Sequence, residues 1–131
     1  MLRNNLYYIA QSNQDGYTIR FDETHPIFVG HFPEHPIVPG ACLVQIAEEL
    51  VDVYFGSQFR FTTICNLRFN QPITPDQEVT ITILHPKEKT FTFQFSVFDS
   101  ICAHFSVLNE RLYKENRNFF VITLAYILKK L

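Results

Sequence analysis

Four stretches between Phe59 and Val107 alternate apolar and polar residues with a period of two, and that pattern leaves few folds open. Phe59, Phe61, Thr63, Cys65, Leu67 and Phe69 share one phase; Val79, Ile81 and Ile83 share the next. Phe91, Phe93, Phe95 and Val97 form the third run, and Ile101, Ala103, Phe105 and Val107 the fourth. Successive side chains on a strand point to opposite faces, so such runs make antiparallel strands with one face buried and one wet. The links Pro86–Lys89 and Asp99–Ser100 are short enough for hairpins, which predicts a four-strand meander. Two shorter strand candidates precede it, Leu6–Gln11 and Tyr17–Asp22, split by the turn-prone Asn13-Gln14-Asp15-Gly16.

Residues 23–40 hold four prolines and two glycines, too many for one helix or an interior strand. Their apolar and aromatic content argues for a long ordered loop, the kind that is usually functional. Ala41–Phe55 reads as a helix, with Pro39 and Gly40 before it and Gly56 at the C-cap position. Leu43, Ile46, Ala47, Leu50 and Tyr54 form its apolar face. Gln45, Glu48, Glu49 and Asp52 form a polar stripe at the same spacing, expected to be a solvated face. The class is therefore α+β: one helix, about 22 Å long by its rise, against one antiparallel sheet. A lone sheet has two open edges, and pairing edges across a dimer removes that liability.

At 131 residues the chain has the length of one domain. The domain is placed at 1–109, with 110–131 as a C-terminal extension packing on it or on a dimer mate. That extension carries the apolar run Phe119–Leu128 followed by Lys129-Lys130. The run is too short to span a bilayer; interfacial membrane contact is the alternative to packing on protein. A net charge of -2 and a pI of about 6.2 set nucleic-acid binding aside. Cys42, Cys65 and Cys102 are odd in number and far apart, which fits reduced thiols rather than a disulfide frame. The N-terminus lacks the apolar run of a secretory signal. A cytoplasmic protein is expected.

The most informative stretch is Phe28-Val29-Gly30-His31-Phe32-Pro33-Glu34-His35-Pro36-Ile37-Val38-Pro39-Gly40. It resembles the signature of the bacterial (3R)-hydroxyacyl-carrier-protein dehydratases: Gly-His-Phe-Pro, then Pro, then Pro-Gly, then a helix. A second stretch, Arg68-Phe69-Asn70-Gln71-Pro72-Ile73-Thr74-Pro75-Asp76-Gln77, is similar to that family's strand-to-strand loop. The resemblance covers roughly residues 6–109. It implies a hotdog fold, in which the central helix is wrapped by the antiparallel sheet, and a homodimer or a heterodimer with a related hotdog subunit. It also implies a 3-hydroxyacyl thioester carried by acyl carrier protein, with no cofactor beyond the carrier's own phosphopantetheine.

Dehydration of such a thioester takes a proton from carbon 2 and protonates the hydroxyl leaving carbon 3. Histidine suits the first task because it titrates near neutrality. The developing enolate-like oxygen wants a fixed donor, and the Gly40 N–H sits where a helix N-terminus leaves donors unpaired. By resemblance His31 is the base and Gly40 meets the thioester carbonyl, with Phe32, Pro39 and Ala41 flanking the substrate. Outside the motif, a histidine in such a loop would read as simply hydrogen-bonded. His25 and His35 read as loop residues, and the spacing 25, 31, 35 matches no zinc site.

Two positions depart from the pattern. The family carries a carboxylic acid fourteen residues after the histidine; here that position is Gln45, whose amide holds a hydroxyl but cannot protonate it. Glu34 stands where the family favours glycine. The missing proton could come from His31 itself, from Glu49 one turn beyond Gln45 through a water, or from a partner subunit. The first reading is a hydro-lyase acting on 3-hydroxyacyl-carrier-protein. The rivals are an acyl thioesterase, since fold does not fix chemistry, and a non-catalytic acyl-binding partner of an active dehydratase.

Overall fold

A computed structural model of the chain describes residues 1–30, 34–56, 58–87 and 89–112. The strands β1 (Tyr7–Asn13) and β2 (Gly16–Phe21) form the expected first hairpin. Gly16 is required there, because a side chain would strike the Ile81 carbonyl of the neighbouring strand. The proline-rich loop opens with one turn of helix, α1 (Pro26–Gly30), which the sequence reading missed. Pro26 occupies the first turn, where its missing N–H costs nothing and its fixed φ already suits a helix.

The main helix α2 runs Gly40–Phe55 and stops at Gly56, which takes the left-handed conformation (φ 65) and donates its N–H to the Asp52 carbonyl. Leu43, Ile46, Ala47, Leu50 and Val51 are buried against the sheet. Tyr54, assigned to the same face, lies at the exposed end of the helix.

Four strands follow: β3 (Gln58–Phe69), β4 (Val79–Lys87), β5 (Thr90–Val97) and β6 (Ser100–Leu112). The sheet is antiparallel throughout, in the order β1-β2-β4-β5-β6-β3. The expected meander therefore holds only for β4-β5-β6. β3 lies at the far edge beside β6, and the segment 70–78 carries the chain across the end of the sheet. That segment is tied down by the Asn70 and Gln71 N–H groups donating to the Cys102 carbonyl. β6 reaches Leu112 and pairs with β3 from Gln58 onward, so position 109 falls inside a strand. Of the extension at 110–131, residues 113–131 lie outside the described residues.

The period-two reading holds for β4 and β5: Val79, Ile81, Ile83, Phe91, Phe93, Phe95 and Val97 all face the core. It holds for Ala103, Phe105 and Val107 of β6 as well, and slips in β3 and at the start of β6. Register irregularities between Phe61 and Thr63, and between Cys65 and Arg68, break the phase of β3. Asn66 adopts a positive φ of 56 at the second of these. Only Phe59 and Phe61 pack on the core, and residues 62–69 are all exposed. In β6 an irregularity opposite Phe95/Ser96 turns Cys102 inward and leaves Ile101 exposed, the reverse of the expected order.

The polar stripe of α2 is only partly solvated: Gln45 is exposed, whereas Glu48 and Asp52 are half-buried. Glu49 is buried. The Phe61 N–H donates to Glu48 Oε2 at 2.9 Å and the Phe59 N–H to Asp52 Oδ1 at 2.8 Å. Both N–H groups belong to the edge strand, so helix carboxylates satisfy donors that no neighbouring strand can reach.

Candidate active site

The N-terminus of α2 is built from Pro39 and Gly40. Pro39 is the extended N-cap and provides no side-chain cap bond. Its carbonyl accepts from Cys42 N–H at 3.0 Å and Leu43 N–H at 3.3 Å. The Gly40 and Ala41 N–H groups find no acceptor among the described residues, as expected for the first turn of a helix. The Phe69 ring lies over Gly40, and a Cβ built on Gly40 would come within 2.6 Å of that ring. A side chain at position 40 would push the Phe69 ring aside, so glycine lets that ring lie against the helix start.

Pro39, Gly40 and Leu43 form one wall of a cleft of about 340 Å³; Phe69, Asn70 and Pro72 form the other. The Val38 N–H donates to the Ile73 carbonyl at 2.8 Å and holds the two walls together. Both sequence motifs therefore meet at one cleft. Of the residues singled out in the sequence, Gly40 and Pro39 line it. Ala41 is exposed beside it. His31 and Phe32 lie outside the described residues.

Gln45 borders a second cleft, about 330 Å³, between α2 and the exposed run of β3, with Val44, Glu48, Phe61, Thr63 and Ile64. Gly40 and Gln45 thus open onto two separate clefts along α2, with no lining residue in common.

Glu49 sits in neither cleft. Its Oε2 accepts from Leu2 N–H (2.9 Å) and Gln45 Nε2 (2.9 Å); its Oε1 accepts from Arg3 N–H (2.8 Å) and Tyr7 O–H (3.1 Å). Burial pushes this carboxyl up, but the hydrogen bonds from Leu2, Gln45, Arg3 and Tyr7 together outweigh it and hold the group below the usual carboxylate range. The Tyr7 hydroxyl is pushed up by burial and by the Glu49 charge. An ionised carboxylate has about four acceptor positions, and all four are filled. Glu49 is one of the three conceivable proton sources; its four acceptor positions are taken by protein donors that favour the ionised form, an arrangement that suits an acceptor better than an acid.

One turn further on, Asp52 is shifted upward by burial and the charges of Glu48 and Glu49, opposed by the single Phe59 N–H. The sequence reading missed Leu2, Arg3 and Tyr7, since nothing in their spacing points to a residue more than forty positions away. Phe69 was within a recognised motif, and its contact with Gly40 emerges only in three dimensions.

Solved structures share this architecture. The dehydratase heterocomplex ApeI:P from Xenorhabdus doucetiae aligns with a TM-score of 0.64 at 22% identity, covering 78% of this chain and 93% of that one. A hypothetical thioesterase from Streptococcus pneumoniae aligns with a TM-score of 0.58 at 11% identity, covering 86% of this chain and 95% of that one. At these identities the likeness establishes the fold, a hotdog. The ApeI-like family, described as ApeI dehydratase, matches residues 9–106, and the chain belongs to it. The dehydratase FabZ of Gluconobacter oxydans is 33% identical over 79 residues, covering 53% of this chain and 47% of FabZ. FabZ of Tolumonas auensis is 26% identical over 87 residues, covering 60% and 56%. The chain spans about half the length of the curated relatives it matches. Among the described residues no helix is long and apolar enough to cross a membrane.

Proposed function

We propose that this chain is a hydro-lyase subunit acting on 3-hydroxyacyl groups carried by acyl carrier protein, yielding the trans-2-enoyl thioester and water. The observation that carries the reading is the Gly40 turn: family-typical motifs converge on one cleft, and the N–H groups of Gly40 and Ala41 beside it have no acceptor among the described residues. A thioester carbonyl seated there accepts from Gly40 as negative charge develops on it. His31 removes the carbon-2 proton, the C–H electron pair forms the new double bond, and the carbon 3–oxygen bond breaks. Gln45 orients the hydroxyl. With Glu49 saturated and Gln45 an amide, the departing hydroxyl takes up from His31 the proton removed from carbon 2 and leaves as water, so the imidazole ends as it began.

A second reading is favoured by Gln45 itself: a partner subunit that binds acyl chains while a related hotdog chain supplies the acid. The structural neighbour from Xenorhabdus doucetiae is described as a dehydratase heterocomplex. Mass spectrometry on a panel of 3-hydroxyacyl-carrier-protein thioesters separates the readings. Enoyl product from the isolated chain, lost in His31→Ala, supports the hydro-lyase. Free acid means hydrolysis. Turnover only after adding a second hotdog chain means the partner role.

A further inference from the structure

We propose that Glu49 is the positioning residue of the Gln45 subsite: it holds the Gln45 amide in one of its two orientations, nitrogen on the carboxylate and carbonyl oxygen left for the substrate hydroxyl. The inference rests on Gln45 as the hydroxyl contact, the reading given above, and it changes the role of Glu49 from proton source to support.

A glutamine amide turned by half a rotation has nearly the same shape, so only its partners choose between oxygen and nitrogen. Gln45 and Glu49 are four residues apart on α2 and therefore neighbours on one helix face. On an open helix such a contact would be weak and short-lived, because both side chains swing freely. Here one partner is fixed. Glu49 is 7% exposed, and three of its four donors come from the N-terminal segment: the Leu2 N–H, the Arg3 N–H and the Tyr7 hydroxyl. A carboxylate accepts and never donates while ionised, so the group it turns toward Gln45 meets nitrogen. The carbonyl oxygen finds no donor among the described residues, and Gln45 borders the cleft.

The consequence reaches back to the start of the chain. Leu2 and Arg3 lie 47 and 46 residues before Glu49, yet their backbone completes the support of a side chain at the second cleft. Gln45 in this state accepts from the carbon-3 hydroxyl and fixes the direction of the carbon–oxygen bond without protonating it.

The test compares binding of two pantetheine-linked thioether mimics, one bearing the 3-hydroxyl and one without it, to the full chain. Neither is turned over, so binding reads position apart from chemistry. Wild type should prefer the hydroxylated mimic by about 3–10-fold, the value of one net hydrogen bond. Glu49→Met, which keeps bulk and removes the acceptor, should erase that preference and leave affinity for the plain mimic unchanged. Gln45→Ala should do the same, and the double variant should lose nothing more. Equal loss for both mimics in Glu49→Met, or a further loss in the double variant, assigns Glu49 a structural role only and overturns the proposal. Should Glu49→Met not fold, the wild-type side-chain amide of Gln45, identified in NMR spectra by its absence from Gln45→Ala, decides. Slowed hydrogen exchange and a hydrogen-bonded shift support the proposal; exchange as fast as an exposed glutamine overturns it. If neither mimic binds, the acyl-thioester reading fails, and the amide measurement still decides the role of Glu49.

Discussion

β5 and β3 carry the same sequence pattern, aromatic residues alternating with polar ones, and their environments are opposite. β5 lies between β4 and β6, and Phe91, Phe93 and Phe95 are almost completely buried. Their rings touch neighbours on other strands: Phe93 meets Phe61 and Phe105 with centroids 5.5 and 5.3 Å apart. β3 lies at the edge. Its first aromatics pack on the core and its first N–H groups are spent on Asp52 and Glu48. From Thr62 onward the strand is exposed, with Ile64, Leu67 and Phe69 at 41, 46 and 49%. The contrast teaches that alternation reports a strand with an apolar side, not whether the same chain covers that side.

The largest expected effect breaks or keeps that contrast directly. Phe93→Ala should cost about 3–5 kcal/mol in denaturant unfolding, as for other fully packed phenylalanines. Ile64→Ala, measured at a concentration where the chain is monomeric, should stay within about 0.5 kcal/mol. Equal costs at that concentration would mean that the two strands are not different in kind.

The exposed half of β3 gives the next effect. Open edge groups and three exposed apolar side chains are a liability that a second subunit removes. The chain should sediment as a dimer at micromolar concentration, and Leu67→Asp should weaken association by about 10–100-fold, the cost of a charge placed in an apolar contact. Phe59 and Phe61 N–H groups are already bonded, so Gln58→Ala should leave association unchanged. A monomeric wild type, or an equal loss from Gln58→Ala, would show that the open edge is not the contact.

The same contrast marks what the sequence could reveal. β4, β5 and the apolar face of α2 were legible because their partners lie in this chain and the period is unbroken. The position of β3 was not, since a strand's phase says nothing about which edge it joins; β6 kept its phase from Ala103 to Val107 and departed from it only at Ile101 and Cys102. At the start of α2, the motifs carried Gly40 and the 68–77 loop to one cleft. The role of Glu49 was hidden because four donors from Leu2, Arg3, Tyr7 and Gln45 converge on it only after folding. A stripe of carboxylates on a helix reads as solvated until backbone N–H groups from elsewhere are seen to claim it.

Beside the exposed run of β3, Gln45→Glu probes the second cleft. A carboxylic acid can protonate a leaving hydroxyl, and general acid assistance typically contributes 10²–10⁴-fold. The neighbouring Glu49 is already ionised and saturated, so a new carboxylate loses its donor there and meets repulsion. The expected gain in dehydration is therefore only about 10-fold, below the range that general acids typically contribute. His31→Ala should abolish turnover in either background. A fall in kcat for Gln45→Glu would show that the amide's orientation matters more than a proton.

The smallest effect belongs to the covered end of β3, where Asp52 accepts from Phe59 N–H. Burial first, and then repulsion from Glu48 and Glu49, raises this carboxyl above its ordinary 3.8. A raised folded value means that ionisation costs stability. The cost is complete above the raised value and absent below 3.8, where the group is neutral in both states. Asp52→Asn keeps an oxygen for Phe59 N–H and removes the charge. It should stabilise the protein near neutral pH by a few tenths of a kcal/mol, since solvent screens a half-exposed group, and the gain should vanish as pH falls below 3.8. Glu49 has the opposite sign. Its folded value is lowered, so its contribution is present above 4.5 and is lost as pH falls through that lowered value. Unfolding curves of wild type and Asp52→Asn between pH 3 and 7 therefore test one carboxylate against the other. If Asp52→Asn destabilises at pH 7, the Phe59 contact needs the charge, and the edge of β3 is held more tightly than its single hydrogen bond implies.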